Sequence, residues 1–310
     1  MTLRSAFLCS VVLVVFPAAA LHAADLQLQL EGMAKEHKGK VALYAKNLKT
    51  GQTVQIDQDR PVKTASVIKL TILVEAFNQI KAGKRSLTDK VTMRKEDVVS
   101  GSGVLPFFDT PMTMTLKDAL TQMVIESDNT ATNLLIDLIG RKPVNDNITA
   151  MGLKNTYLYK KIMRPADPGV PSDQKQFGIG KTTAREMAAV IESIERCDLK
   201  DQKLCTTMLY MLRNQQYRNC IPHYIETSDT SEEPSFIANK TGSLDDVRND
   251  VGIIYSKAGP IVISVFTYEN QDQSWNAENA GEMLIAHMAK AIMDSWSPEG
   301  LAKEIPKSRE

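Results

Sequence analysis

Strand-forming segments lie at the two ends of the chain, so one sheet has to be assembled from parts that are far apart in sequence. Near the amino terminus, residues 41–45 and 53–56 flank Lys49-Thr50-Gly51, which predicts a hairpin. Three more strands are predicted at residues 235–238, 251–255 and 261–266, with a turn at Gly259-Pro260. Short links between neighbouring strands favour a five-stranded antiparallel sheet. Apolar residues at helical spacing in 276–296 predict a helix that covers one face of this sheet.

The middle of the chain has helical periodicity instead. Helices are predicted at residues 66–82, 115–125, 130–139, 183–194 and 204–212. The longest irregular stretch, 163–180, is rich in Pro, Gly and Asp, and a loop of that length is usually functional or mobile. A helical insert between two halves of one sheet predicts an α/β (α+β) fold of two lobes with a cleft between them. We expect one domain at 25–310, with a sheet lobe at about 25–62 and 233–300 and a helical lobe at about 63–232.

The first 24 residues are typical of a secretory signal peptide. Arg4 supplies a basic start, residues 6–16 form an apolar run, and small residues at 18–20 and 23–24 offer cleavage sites. The apolar run is too short to span a bilayer. The mature chain is therefore predicted to be exported, to the periplasm or beyond, without a stable membrane span.

Cysteine and charge content exclude several classes of protein. After removal of the signal, the chain keeps Cys197, Cys205 and Cys220, too few for a fold built on disulfides and without the paired spacing of a zinc site. One bridge can form, with Cys197 to Cys205 as the shortest loop. His37, His223 and His287 are scattered, so neither a metal nor another cofactor is predicted. The 37 acidic and 37 basic residues argue against a nucleic-acid partner.

A lysine lies in an unusually apolar segment, three residues after a serine. Ser66-Val67-Ile68-Lys69-Leu70 continues into a run that leaves little surface for water, and burying an ammonium group costs several kcal/mol or lowers its pKa. Lys69 could extend its stem to reach solvent. Alternatively, Ser66 is a nucleophile and Lys69, one helical turn later, accepts its proton.

Two further motifs bear on this choice. Ser127-Asp128-Asn129 lies between two predicted helices, where a connecting turn can direct short polar groups into the cleft; by itself it could equally be a helix cap in which Asn129 or Thr130 accepts backbone donors. Lys240-Thr241-Gly242 continues a predicted strand, whereas the second such tripeptide, Lys49-Thr50-Gly51, lies in a hairpin turn where it is unremarkable.

The ordered set Ser66-x-x-Lys69, Ser127-Asp128-Asn129 and Lys240-Thr241-Gly242 resembles the motif trio of class A β-lactamases and penicillin-binding proteins. The resemblance extends over 127–135, 181–188 and 240–244 and covers essentially the whole mature chain. It implies the two-lobed fold of that family, in agreement with the segments described above. It also implies an acyl-enzyme mechanism on a β-lactam or on a peptidoglycan stem peptide.

The resemblance assigns roles to individual residues. Ser66 would be acylated, Lys69 would act as base or proton relay, and Ser127 would pass a proton to the departing nitrogen. The backbone amides of Ser66 and Ser243 would hold the oxyanion. The substrate-binding residues would be Asn129, which holds the substrate amide, and Lys240, Thr241, Gly242, Ser243 and Arg248 along the strand and the following turn. Arg248 stands one residue closer to the Lys-Thr-Gly motif than many family arginines do, and it could instead be a surface residue of the turn.

The chain departs from the family in the loop after residue 163. A Glu-x-x-Leu-Asn segment, whose glutamate activates the water that releases the acyl-enzyme, is absent. Asp167 is the nearest substitute, although an aspartate is one methylene shorter, and it could equally be a solvated loop carboxylate. Lys181 occupies the place where an aspartate normally pairs with the loop arginine.

Three functions are consistent with these motifs. The first is β-lactam hydrolysis by an active-site serine, which the motifs around Asn129 and Ser243 favour. The second is a D-alanyl-D-alanine peptidase or penicillin-binding protein with slow deacylation, which the altered loop favours. The third is a module that acylates once and then holds the ligand, although such a module would not need Lys69 beside Ser66. A monomer is expected in each case.

Overall fold

The computed structural model describes residues 18–226 and 235–305. In chain order, the strands are β1 (Lys40–Asn47), β2 (Thr53–Ile56), β3 (Val62–Lys63), β4 (Lys90–Met93), β5 (Met112–Thr115), β6 (Tyr157–Leu158), β7 (Gly180–Thr182), β8 (Ile237–Leu244), β9 (Val247–Ser256) and β10 (Gly259–Tyr268). The α-helices are α1 (Ala18–Glu36), α2 (Lys69–Lys81), α3 (Leu116–Ile125), α4 (Asn129–Ile139), α5 (Arg141–Ala150), α6 (Gln174–Phe177), α7 (Ala184–Glu195), α8 (Gln202–Arg213) and α9 (Ala280–Trp296). Short 3₁₀ helices cover Ala65–Ile68, Lys95–Asp97 and Leu105–Phe107.

The predicted five-stranded antiparallel sheet is confirmed. Its strand order is β2-β1-β10-β9-β8, so strands from the two ends of the chain pair at β1 and β10. The predicted turn at Gly259-Pro260 is wrong by two residues. The turn lies at Lys257 and Ala258, and Gly259 instead begins β10 at a φ of 114° that only glycine adopts readily. Strand β8 lies at the edge of the sheet, where the cleft is expected.

Each face of the sheet is covered by helices. On one face, α1 and α9 pack Leu30 and Ile292 against Ile254 and Ile263. On the other face, helices of the middle segment pack against Val251 and its neighbours on alternate positions of the strands. The predicted carboxyl-terminal helix is confirmed, as are the helices that contain α2, α3, α4, α7 and α8, with ends shifted by up to four residues.

Several short elements were not predicted. Helix α5 begins just after Gly140, which ends α4, and it accommodates Pro143 in its first turn, where the missing N–H is tolerated. Two small sheets lie beside the helices, one of two strands (β4–β5) and one of three (β3–β7–β6). The irregular stretch at 163–180 contains the single turn α6 and ends in β7.

At the amino terminus, residues 1–17 of the predicted signal peptide lie outside the described residues. Helix α1 begins at Ala18 and continues through the predicted cleavage region. Among the helices of residues 18–226 and 235–305, none is both long and apolar enough to cross a membrane. The predicted bridge between Cys197 and Cys205 is confirmed, and Cys220 is a buried free thiol.

Candidate active site

Ser66 lies on the 3₁₀ turn that leads into α2. Ala65, just before it, has a φ of 45°, so the turn bends sharply before the helix begins. Val67 and Ile68 are buried and anchor the turn, whereas Ser66 is half-buried. In the described part of the chain, no hydrogen bond engages the Ser66 hydroxyl. The turn that carries Ser66 is therefore held in place by its buried neighbours, while Ser66 itself stays partly exposed.

Lys69 is completely buried, which rules out the interpretation that its amine reaches solvent. Its Nζ lies within hydrogen-bond distance of three oxygens, Ser127 O at 2.6 Å, Ser127 Oγ at 3.1 Å and Asn129 Oδ1 at 3.0 Å. Burial lowers the pKa of Lys69 well below its usual value, and the charge of Lys240 lowers the pKa further, while Asp128 opposes both effects. These shifts favour a neutral amine, which can accept a proton.

The segment Ser127-Asp128-Asn129 combines a helix cap with site groups. Asp128, rather than Asn129 or Thr130, caps α4 by accepting from Ala131 N at 2.8 Å. The same carboxylate also accepts from Leu105 N at 2.8 Å. Ser127 has a φ of 53°, and this bend presents its carbonyl and its hydroxyl to Lys69. The segment is therefore a helix cap, although the capping residue is Asp128 and not the predicted Asn129 or Thr130, and the site roles of Ser127 and Asn129 remain predictions.

A glycine-serine loop, Ser100-Gly101-Ser102-Gly103, packs on this segment and was missed by sequence analysis. Ser102 Oγ donates to Ser127 O at 2.7 Å, and Asn129 Nδ2 donates to Ser100 O at 3.1 Å. A Cβ at Gly101 would lie 2.4 Å from Asn129 Nδ2, so the loop can approach this closely only without side chains there. The alternation of Ser and Gly at 100–103 was the sequence signal that could have indicated this loop.

Strand β8 brings the third motif against the nucleophile turn. A Cβ at Gly242 would lie 2.9 Å from Ser66 N, 2.9 Å from Thr64 O and 2.9 Å from Val67 N. The strand backbone therefore lies directly beside the Ser66 amide. Ser243, the next residue, is half-buried at the end of the strand. This close approach allows the backbone amides of Ser66 and Ser243 to face one small region.

Lys240 is also completely buried. Its Nζ donates to Thr241 O at 3.0 Å. Burial lowers the pKa of Lys240 to about 7, and Asp250 acts in the opposite direction. Asp250 is itself buried on β9, where it accepts from Asn239 Nδ2 and from Ile221 N, each at 3.0 Å, and burial raises its pKa to about 6. The site thus contains two buried lysines, one of which has a buried carboxylate as its counter-charge.

Two predicted site residues are not brought into this group. The Asp167 side chain is 66% exposed and pairs with Arg141 at 3.2 Å. The guanidinium of Arg248 contacts backbone carbonyls and Glu282, and its complete burial shows that the alternative of a surface residue of the turn is wrong. The roles predicted for both residues remain predictions.

The altered loop is held by other contacts. Asn133 binds the backbone of Ile162 through both ends of its amide, at 2.9 Å and 2.8 Å. Lys181 pairs with Asp173 at 2.6 Å, and Arg164 donates to the carbonyl of Glu96 at 2.6 Å. The two loop carboxylates, Asp167 and Asp173, are thus each paired with a basic side chain. Among residues 18–226 and 235–305, no group of three or more His, Cys, Asp or Glu side chains could hold a metal ion.

Comparison with known proteins gives a consistent result. Residues 25–296 match the model of the "Beta-lactamase enzyme family". Beta-lactamase VEB-1 of Pseudomonas aeruginosa is 22% identical over 284 residues, which cover 86% of this chain and 88% of the relative. A beta-lactamase of Bacillus licheniformis is 24% identical over 92% of this chain and 88% of its own length.

Solved structures are similar over most of the chain. The beta-lactamase of Sphaerobacter thermophilus superposes with a TM-score of 0.74 at 32% identity, covering 89% of this chain and 97% of that one. The L158E mutant of PBP-A, solved as an acyl-enzyme complex with penicillin G, gives a TM-score of 0.73 at 22% identity over 88% and 96% of the two chains.

Proposed function

Since the chain belongs to the beta-lactamase enzyme family, we propose that it is an active-site serine hydrolase that is acylated at Ser66 and hydrolyses the amide bond of β-lactams. The observation that carries this proposal is the completely buried Lys69, whose Nζ contacts Ser127 Oγ and Asn129 Oδ1 one helical turn after Ser66. A buried lysine with a lowered pKa beside a serine is the arrangement expected of an activated nucleophile.

In the acylation step, Ser66 Oγ attacks the β-lactam carbonyl and its proton passes to the neutral amine of Lys69. Ser127 Oγ, which accepts a hydrogen bond from Lys69, donates a proton to the β-lactam nitrogen as the C–N bond breaks, and Lys69 restores that proton. The ester at Ser66 and the released amine together balance the atoms of the substrate. The contact between Lys69 Nζ and Ser127 Oγ, at 3.1 Å, is already present in the free protein.

The remaining site residues bind the substrate. The amides of Ser66 and Ser243 would stabilise the oxyanion, and the close packing of Gly242 on the Ser66 turn supports this assignment. Lys240 and Thr241 would bind the substrate carboxylate through charge-assisted hydrogen bonds. Asn129 would hold the substrate amide, which requires its Nδ2 to exchange the carbonyl of Ser100 for the ligand.

The loop supports a second candidate function, that of a penicillin-binding protein or D-alanyl-D-alanine peptidase in which the acyl-enzyme is released slowly. Asp167, the nearest substitute for a deacylating glutamate, is exposed and paired with Arg141. The similarity to PBP-A, which was captured as an acyl-enzyme in its L158E form, is compatible with this alternative. A peptidoglycan stem peptide would then be the natural substrate.

The function is proposed to be carried out outside the cytoplasm by a monomer without a cofactor. The predicted signal peptide at 1–24 supports export. The disulfide between Cys197 and Cys205 also supports export, because such bonds persist in oxidising compartments.

Intact-mass analysis with benzylpenicillin tests the proposal. We expect one covalent adduct on the parent and none on Ser66→Ala; an adduct that persists in this variant would contradict the assignment of Ser66. Single-turnover and steady-state kinetics then separate the two candidates. Sustained turnover supports the hydrolase, whereas a burst followed by a low steady rate supports slow deacylation.

A further inference from the structure

Arg248 projects to the side of the sheet that carries α9. A Cβ at Gly281, in the first turn of α9, would lie 3.2 Å from Arg248 Cγ, and Arg248 Nε lies 3.4 Å from Glu282 Oε1. Its neighbour Asn249 projects to the other side and donates to the carbonyls of Lys63 and Thr64, next to the Ser66 turn. Arg248 therefore belongs to the layer between the sheet and α9.

The hydrogen bonds of Arg248 go to backbone carbonyls on two segments. Nη1 donates to the carbonyls of Leu244 and Val247, at either end of the β8–β9 turn, the second at 2.9 Å. Nη2 donates to the carbonyl of Ser274, in the segment that precedes α9. A guanidinium has five donors in a rigid fork, and this fork links the turn to the segment.

The outer side of the guanidinium is closed by an aromatic ring. The indole of Trp275 lies 4.6 Å from Arg248 Cζ, and although Trp275 is itself 68% exposed, Arg248 behind it has no exposed surface. A cation over an indole face gains electrostatic attraction in addition to this cover. A substrate carboxylate could reach the guanidinium only after Trp275 and at least one carbonyl had moved away.

This arrangement bears directly on Ser243. Ser243 is paired with Arg248 across β8 and β9, and Leu244, whose carbonyl Arg248 binds, is the next residue. The preceding residue, Gly242, is the one that packs against the Ser66 amide. Fixing the carbonyls of Leu244 and Val247 therefore fixes the end of β8, where the second oxyanion amide is proposed to lie.

We infer that Arg248 is a positioning residue that holds the end of β8, and with it the Ser243 amide, at the oxyanion site, and that the substrate carboxylate is bound without it. This inference rests on the proposed acylation of Ser66. It assigns to Arg248 a role different from the one that family resemblance implies. In this assignment, Lys240 and Thr241 bind the substrate carboxylate.

The two roles predict different responses to removal of the substrate carboxylate. Acylation rates are measured by intact mass with benzylpenicillin and with its methyl ester, for the parent, Arg248→Lys and Lys240→Ala. The lysine keeps the charge of Arg248 but loses the planar fork. Arg185→Lys is the matched control, because Arg185 also stacks on an aromatic ring, Tyr44, and pairs with a carboxylate.

For a positioning residue, Arg248→Lys should slow acylation by both compounds by about tenfold or more, because small displacements of a catalytic group are costly. The ratio of the acid rate to the ester rate should stay at the parental value, whereas Lys240→Ala should lower that ratio. Hydrolysis of the acyl-enzyme should slow as well, since it passes through an oxyanion at the same amides. Arg185→Lys should match the parent throughout.

Other outcomes overturn the inference. If Arg248→Lys lowers the acid-to-ester ratio as Lys240→Ala does, Arg248 binds the carboxylate. If Arg248→Lys leaves both rates unchanged, Arg248 positions nothing that acylation needs. Should Arg248→Lys fail to fold, Arg248→Gln combined with Glu282→Gln removes both charges of this ion pair together and is measured in the same way. A parent that forms no adduct with either compound contradicts the proposed function itself and this inference with it.

Discussion

The contact between Gly242 and the Ser66 turn can be tested by adding one methyl group. In Gly242→Ala, the new Cβ would lie 2.9 Å from each of three backbone atoms, Ser66 N, Thr64 O and Val67 N. Backbone atoms cannot rotate away as side-chain ends do, so either β8 or the turn has to move. The two segments that would separate are the ones proposed to carry the oxyanion amides.

The size of the effect follows from these distances. Ordinary contacts of a Cβ begin near 3.4 Å, so relieving the 2.9 Å contacts requires a displacement of about 0.5 Å. A displacement of 1 Å can cost on the order of a hundredfold in rate, so half of it should slow acylation by about tenfold. The added methyl group should also lower the free energy of unfolding by about 1–3 kcal/mol through overpacking.

Stopped-flow acylation by a chromogenic cephalosporin measures the rate, and denaturant unfolding measures the stability. The matched control is Gly32→Ala on α1, where a Cβ meets nothing within 4 Å and the helix should gain about 0.5–1 kcal/mol with no change in acylation. If Gly242→Ala acylates at the parental rate, the proposal that β8 and the Ser66 turn form one oxyanion site is refuted.

Three further predictions concern the loop, the disulfide and pH. Because Asp167 is exposed and paired with Arg141, Asp167→Asn should leave both acylation and deacylation unchanged in single-turnover kinetics, and an acyl-enzyme trapped by this variant would show that Asp167 positions the water. Replacing Cys197 and Cys205 by Ser should lower the free energy of unfolding by about 2.5 kcal/mol, and reductant should then destabilise only the parent. The pKa of Lys240 is about 7 in the folded protein and 10.5 without the fold, so between these pH values the unfolded chain binds more protons. Lys240 should therefore make the free energy of unfolding rise with pH in this range. Acylation should fall over the same range, because Lys240 loses the charge that is proposed to bind the substrate carboxylate. Lys240→Met should flatten the rise in denaturant unfolding, and an unchanged slope would contradict the shift.

The main sheet could be predicted from the sequence, because its strands have local signals. Alternation, β-branched residues and turn residues mark each strand independently of its partners. Helix α1 was missed, because its start overlaps the region interpreted as a cleavage site, although Leu26 and Leu30 carry the helical spacing that buries them. Helix α5 was not predicted, because a proline such as Pro143 is usually a sign that a helix has ended, whereas here it lies in the first turn of the next helix.

In the candidate site, the residues that belong to motifs could be identified from the sequence, but the residues that hold them in place could not. The placement of Ser66 and Lys69 follows from one helical turn, which is local. The contacts of Ser102 with Ser127, and of Asn239 with Asp250, join segments that only the tertiary fold brings together. The burial of Arg248 likewise depends on Trp275, a residue with no motif of its own.

The two buried lysines lie on different parts of the fold, Lys69 on α2 and Lys240 on β8, and they influence each other electrostatically. Two neighbouring ammonium groups in a protein interior repel each other, so each charge lowers the pKa of the other group. Asp250 raises the pKa of Lys240 against the effect of burial, and the charge of Lys240 in turn lowers the pKa of Lys69. Asp250 pairs with Thr241, so its side chain lies on the opposite face of the sheet from that of Lys240. Asp250, behind the sheet, therefore acts on the pKa of Lys69 indirectly through Lys240 and adds to the larger effect of burial.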